Sequence, residues 1–161
     1  MHLLSFLPSL LLSFASLSLA APPFSHLIRQ ANSTCTAGAS IDNLYTFSNL
    51  RINYAPSGGQ STAAFAVTNT RTNLTEVLPC TLRIGYQCQY NGTPENPALQ
   101  VWLQLNLAAY FSFMDTSFCP GRVITGQAEM AFTCPDTPFE NGMICRGDVE
   151  SVGARGTVEE M

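Results

Sequence analysis

Apolar and polar residues alternate along much of this chain, a pattern typical of β-strands with one face in a core. The cleanest example is residues 99–113, where the odd-numbered positions are apolar and Gln100, Gln104 and Ser112 lie among the even-numbered ones. One extended strand of that length would reach about 50 Å, which exceeds the width of a small domain. The segment must bend strongly or turn, and we expect a turn at Asn106 to Ala109.

A β-hairpin is predicted from residues 44–54 and 61–69, which alternate in the same way around a Pro-Ser-Gly-Gly turn. Tyr45 and Phe47 lie on the opposite parity from the apolar residues that follow them. We therefore expect a β-bulge near Ser48-Asn49.

A further strand is predicted after Gly121, with Ile124, Ala128 and Met130 facing inward. Proline-containing loops are expected at 91–97 and 135–142, and no helical period is found. Short strands separated by turns predict an all-β, single-domain antiparallel β-barrel or sandwich, stabilised by disulfides.

Four segments are predicted along the chain. Residues 1–20 form an apolar run that ends in small residues, which indicates a secretory signal peptide cleaved after Ala20. A leader is expected over 21–40, the β-barrel domain over 41–146, and a flexible, acidic C-terminal tail over 147–161.

All the cysteines follow the predicted cleavage site, and their even number favours three disulfides in an exported chain. A metal site is the alternative, but the chain has no Cys-x-x-Cys pair. Fifteen pairings of six cysteines are possible. The cysteines are Cys35, Cys80, Cys88, Cys119, Cys134 and Cys145.

The formal charge is −4, the isoelectric point is about 4.9, and the chain has no lysine. These values argue against nucleic acid as a partner, since phosphates require a basic surface. Asn32, Asn73 and Asn91 begin Asn-x-Ser/Thr sequons and are candidate glycosylation sites. Pro94 directly after the third sequon makes Asn91 a weaker candidate.

The predicted ordered region lacks histidine and lysine, which disfavours nucleophilic catalysis because no base titrates near neutral pH. Asp115 and Glu129 are the best-placed carboxylate pair for hydrolysis of a glycosidic bond, although solvated strand ends explain them more simply. We therefore predict no catalytic residue, no cofactor and no metal.

Two other features are candidates for binding. Arg146-Gly147-Asp148 spells an integrin-binding tripeptide, which also arises often by chance. Four aromatic residues lie on or beside strands and either pack under loops or form a platform for a sugar or flat ligand. They are Tyr86, Tyr90, Trp102 and Tyr110.

Three features between Phe47 and Cys145 carry a family resemblance: the early hairpin, the short loop from Cys80 to Cys88 with Tyr86 inside it, and the later strand closed by two cysteines. On these features the chain resembles the Alternaria alternata allergen-type β-barrel family of small secreted fungal proteins. It departs from the family pattern in having tyrosine where tryptophan often precedes the second loop cysteine.

The resemblance implies a compact antiparallel barrel, fungal origin, and the disulfides Cys80–Cys88, Cys134–Cys145 and Cys35–Cys119. With no spare cysteine, we expect a monomer or a non-covalent dimer. The resemblance further implies a secreted effector, elicitor or allergen-like protein that binds a host protein or a small ligand without catalysis. The alternative is a cell-wall or surface protein that binds polysaccharide through its aromatic residues.

Overall fold

The computed structural model describes residues 35–56, 59–83, 85–92, 96–136 and 142–161, so the predicted signal peptide, most of the leader and Asn32 lie outside the described residues. The regular structure of the described residues consists of β-strands, and no described helix could cross a membrane. The strands are β1 (Ser40–Tyr54), β2 (Thr62–Asn69), β3 (Leu74–Thr81), β4 (Gln87–Asn91), β5 (Leu99–Leu105), β6 (Ala109–Asp115), β7 (Arg122–Met130), β8 (Phe132–Thr133), β9 (Met143–Gly147) and β10 (Ser151–Glu160).

The strands form one antiparallel sheet in the order β3-β2-β1-β10-β7-β6-β5-β4, and β9 pairs with both β8 and the end of β1. The disulfide Cys80–Cys88 joins the two edge strands, β3 and β4, across Cα atoms 6.0 Å apart. The sheet therefore curls into a nearly closed barrel, and the predicted all-β fold is confirmed.

Strand β1 carries the predicted bulge. Its register with β2 shifts after Ser48, where Asn49 takes a left-handed φ of 54°. The extra residue reverses the parity of the strand, so Phe47 before the bulge and Ile52 after it both face the core.

The β5–β6 hairpin confirms the predicted turn. Leu105 ends β5, Ala109 begins β6, and the Asn106 amide donates to the Ala108 carbonyl at 3.0 Å. Leu107 at the tip is 91% exposed, although it continues the apolar series of its odd-numbered neighbours, because the turn takes it out of the strand.

Aromatic rings from three strands fill the centre of the barrel. Phe111 stacks on Phe47 with ring centroids 4.5 Å apart and meets Phe65 edge-on at 5.1 Å. Tyr45 contacts Phe113 edge-on at 5.0 Å. Burial of each ring stabilises the fold by roughly 1.5–3 kcal/mol.

The prediction of a flexible tail over 147–161 is wrong for Ser151–Glu160, because this segment is β10 and pairs with β1 and β7. Among its inward positions, Gly156 lies where Ile124 and the Phe113 ring leave little space, since a Cβ there would be 2.9 Å from Ile124 Cγ2. A Cβ on Gly156 would lie 3.3 Å from that ring, and one on the facing Gly126 would lie 2.4 Å from it. The barrel therefore extends beyond residue 146.

The six cysteines form three disulfides, Cys35–Cys119, Cys80–Cys88 and Cys134–Cys145. These are the pairs that the resemblance implies. Cys35–Cys119 fastens the segment before β1 to the β6–β7 loop, and Cys134–Cys145 links β9 to the residue after β8.

Candidate binding face

A set of aromatic and amide side chains covers the outside of the barrel on β4, β5 and β6. Trp102 on β5 lies opposite Gln89 on β4 and Ser112 on β6. Tyr110 on β6 lies opposite Gln104 on β5. Since alternate residues of a strand share a face, these side chains point away from the core. We call this surface the amide–aromatic face, which consists of Gln87, Gln89, Trp102, Gln104, Tyr110 and Ser112.

The amide–aromatic face surrounds a depression of about 410 Å³. Tyr110 is 40% exposed, and Trp102 is half-buried between its neighbours. A ring with an exposed side can pack on the apolar face of a sugar, while glutamine amides both donate to and accept from hydroxyl groups. Among the described residues, the charged side chains beside this surface are Arg83, which lines the depression, and Glu129, which lies opposite Tyr110.

The other two aromatic residues of the predicted platform lie elsewhere. Tyr86 is in the β3–β4 connection, where its ring meets Tyr54 edge-on at 5.6 Å. Tyr90 lies opposite Val101, shares its inward parity and packs against the core. The four aromatic residues therefore do not form one platform. Of the four, only Trp102 and Tyr110 lie together on the outer surface.

Asp115 and Glu129 do not form the carboxylate pair that the sequence offered for hydrolysis. Asp115 is the last residue of β6 and is buried on the inner face, whereas Glu129 is exposed on the outer face and lies opposite Tyr110. Tyr110 and Asp115 are about 17 Å apart along β6 at ~3.3 Å per residue. The two carboxylates thus occupy opposite faces of the sheet.

The Asp115 carboxylate is instead the centre of a buried hydrogen-bond network. The Tyr45 hydroxyl donates to its Oδ2 at 2.5 Å, and the amide and hydroxyl of Ser117 donate to its Oδ1 at 2.7 and 2.6 Å. Asn96 donates to the Tyr45 hydroxyl at 3.1 Å. Burial, followed by the bond to Asp115, raises the pKa of Tyr45 well above its ordinary value, so the phenol remains a donor.

Sequence reasoning missed this network, although an aspartate at a strand end with a serine two residues later is the signal of an Asx turn. A cavity beside Tyr45 holds only about 80 Å³. Sites for drug-sized molecules measure roughly 300–1,000 Å³, so this cavity is too small to be one.

The Arg146-Gly147-Asp148 tripeptide belongs to strand β9 and the bend after it. A Cβ on Gly147 would lie 2.4 Å from the Met130 sulfur, so packing explains the glycine. The Asp148 carboxylate accepts from the Thr133 hydroxyl at 2.5 Å. The backbone amide of Asp148 donates to the Ala131 carbonyl. The tripeptide is thus held against β8.

Two sequon asparagines lie at the surface. Asn73 is exposed in the turn between β2 and β3, and Asn91 is exposed at the end of β4. The Oδ1 atom of Asn91 accepts from Gln89 Nε2 at 2.7 Å. Among the described residues, no three histidine, cysteine or acidic side chains are grouped as metal ligands would be.

The fold and this face define a small disulfide-stabilised β-barrel with an exposed aromatic surface. No family model and no curated protein matches the chain. Among solved structures, the chain is similar to the crystal structure of the Alternaria alternata major allergen Alt a 1, at 14% identity and a TM-score of 0.45. The match covers 78% of this chain and 98% of that chain. That protein is of the type that the sequence resembles, and the likeness is one of fold.

Proposed function

We propose that the protein is a secreted, non-catalytic binding protein that holds a neutral polysaccharide on the amide–aromatic face. The observation that carries the proposal is the placement of Trp102 and Tyr110 on adjacent strands, with glutamine amides beside both rings. Three disulfides among the described residues support export, because disulfides persist in oxidising compartments.

Charge favours a neutral ligand. The chain carries a net charge of −4, which repels polyanions such as nucleic acids and acidic polysaccharides. The face itself carries amides, a hydroxyl and rings, and Arg83 is the one charged residue among the described residues that line its depression. Hydroxyl-rich, uncharged sugar chains of a cell wall match this surface, since they need hydrogen-bond partners and an apolar contact.

Retention on insoluble chitin and β-glucan tests the proposal. We expect the native protein to be retained and Trp102→Ala to lose about five- to tenfold in affinity, because one stacked ring contributes about 1–1.4 kcal/mol. Tyr86→Ala is the matched control, since Tyr86 is 49% exposed but lies away from the face. A native protein that stays in solution with every neutral polymer, or an equal loss in Tyr86→Ala, would contradict the proposal.

A host protein is the second candidate partner and agrees with an effector, elicitor or allergen-like role. It is favoured by two apolar residues exposed on edge strand β3, Leu74 and Val77, the latter 69% exposed. Edge strands offer unpaired backbone groups to partner proteins. Cross-linking in host extracts with native protein and Val77→Arg tests this candidate, which requires a specific adduct that the variant loses.

Secretion, fungal origin, glycans on Asn73 and Asn91, and a monomeric or non-covalently dimeric state belong to the same proposal. A native mass spectrum of the protein secreted by a fungal host, without reduction, measures signal cleavage, disulfides, glycans and subunit number together. We expect cleavage after Ala20 and six oxidised cysteines. A reduced or uncleaved chain would contradict the export part of the proposal.

A further inference from the structure

A second depression, of about 550 Å³, lies next to the amide–aromatic face on the outside of the barrel. Trp102 and Ser112 line both depressions. The second one continues over β7 and β10, where Thr125, Gln127 and Thr157 line it. The two depressions therefore form one trough, with Trp102 between its halves.

The trough runs across the strands rather than along them. It begins on β4 and ends on β10, and the strand order β4-β5-β6-β7-β10 places four strand spacings between its ends. At about 4.8 Å per spacing, the trough is about 19 Å long when measured along the curved surface of the barrel. This length suits a chain of several sugar units and greatly exceeds one.

The second half of the trough is also suited to uncharged hydroxyl groups. Its two charged residues, Arg155 and Glu159, have opposite signs, so they add no net charge to the lining. Each also has a partner, since Arg155 pairs with Asp42 at 3.0 Å and Glu159 accepts from the Thr125 hydroxyl at 2.8 Å. The groups that remain for a ligand are hydroxyls, the Gln127 amide and the Trp102 ring.

We propose that this trough binds an internal stretch of an uncharged polysaccharide chain laid across the five strands. The inference rests on the proposed function and deepens it, because it distinguishes recognition of a polymer from recognition of a single sugar or a chain end. Residues on β7 and β10 then contact only ligands long enough to pass Trp102.

Affinity as a function of ligand length tests the inference. The probes are chito-oligosaccharides and laminari-oligosaccharides of two to six units. Trp102 is the single tryptophan of the chain, so its intrinsic fluorescence reports binding at the centre of the trough. We expect affinity to rise with each added unit until the trough is full and then to stay constant.

Variants in the two halves separate the parts of the proposal. We expect Gln127→Ala to weaken six-unit ligands at least threefold and to leave two-unit ligands unchanged, whereas Gln104→Ala weakens both. Equal affinity for short and long ligands, with Trp102→Ala still poorly retained on the insoluble polymer, would overturn the polymer inference alone. If no oligosaccharide of either series binds, the polymer inference and the proposed function are both wrong.

Discussion

The inner and outer faces of the β5–β6 hairpin share one backbone but differ in role: the inner face packs in the core and the outer face is exposed. On the inside, Leu103 and Phe111 are paired and fully buried in the core. The next pair of the two strands, Gln104 and Tyr110, is exposed on the outside. Because alternate residues point to opposite faces, substitutions on one face can change stability and those on the other can change binding. Four measurements sharpen this comparison.

The largest effect is expected at the centre of the inner face. Phe111→Ala removes a ring that contacts both Phe47 and Phe65, so we expect a loss of about 3–5 kcal/mol in the free energy of unfolding. Urea denaturation measures it. Tyr110→Ala, on the neighbouring outer position, is the control and should lose far less. Equal losses in the two variants would break the comparison.

The next effect compares neighbouring residues of β7. In Gly126→Ala the new methyl group would lie 2.4 Å from both the Phe113 ring and the Arg155 carbonyl oxygen, which we expect to cost about 1–3 kcal/mol. Gln127→Ala, one residue on and facing outward, should change stability by no more than about 0.5 kcal/mol. Thermal unfolding of the two variants measures the difference, and a tolerated Gly126→Ala would contradict the close packing of β7 on β10.

The third effect depends on pH. Tyr45→Phe removes a donor from buried Asp115, and we expect a cost of about 1–3 kcal/mol at pH 7. The raised pKa of Tyr45 means that the folded protein keeps the phenolic proton above pH 10 while the unfolded chain releases it. The contribution of Tyr45 is therefore complete below about pH 10 and falls by about 1.4 kcal/mol per pH unit above it.

The difference in stability between the native protein and Tyr45→Phe should consequently shrink as the pH rises from 10 to 11. Urea midpoints at several pH values measure this difference. A constant difference over that range would mean that the phenol ionises as readily in the folded protein as in the unfolded chain.

The smallest effect is expected at an outer ion pair. Arg155 and Asp42 are 3.0 Å apart, but their side chains are 78% and 66% exposed. Solvent and salt screen such pairs, so Arg155→Gln should cost at most about 1 kcal/mol, and less at high salt. Urea midpoints at low and high salt check this, and a larger cost that salt leaves unchanged would contradict it.

Sequence patterns predicted the parts of the fold that local alternation specifies. The β5–β6 hairpin was predictable because its inner residues are large and apolar, and the bulge in β1 because Phe47 and Ile52 change parity. Strand β10 escaped prediction because two of its inner positions, Ala154 and Gly156, are small and give little apolar alternation. The absence of a side chain at Gly156 follows from Ile124 and the Phe113 ring, which lie on other strands and which a local pattern does not contain.

The candidate site was predictable to a similar extent. Parity placed Trp102 and Tyr110 on the polar side of their strands, as the structure has them. Parity did not distinguish Tyr86 from these two residues, because Tyr86 lies in an irregular connection with a left-handed φ of 51°. The hydrogen bond between Asp115 and Tyr45 could not be predicted from a local pattern, because the two residues are 70 positions apart in the sequence.

The position of β10 has a consequence for how the chain is made. Ser40 pairs with Thr157, so one edge of β1 stays open until residues more than a hundred positions later have been synthesised. Translation adds about 5–20 residues per second, which leaves that edge unpaired for seconds during elongation. During that interval the open edge of β1 is free to pair with a wrong strand.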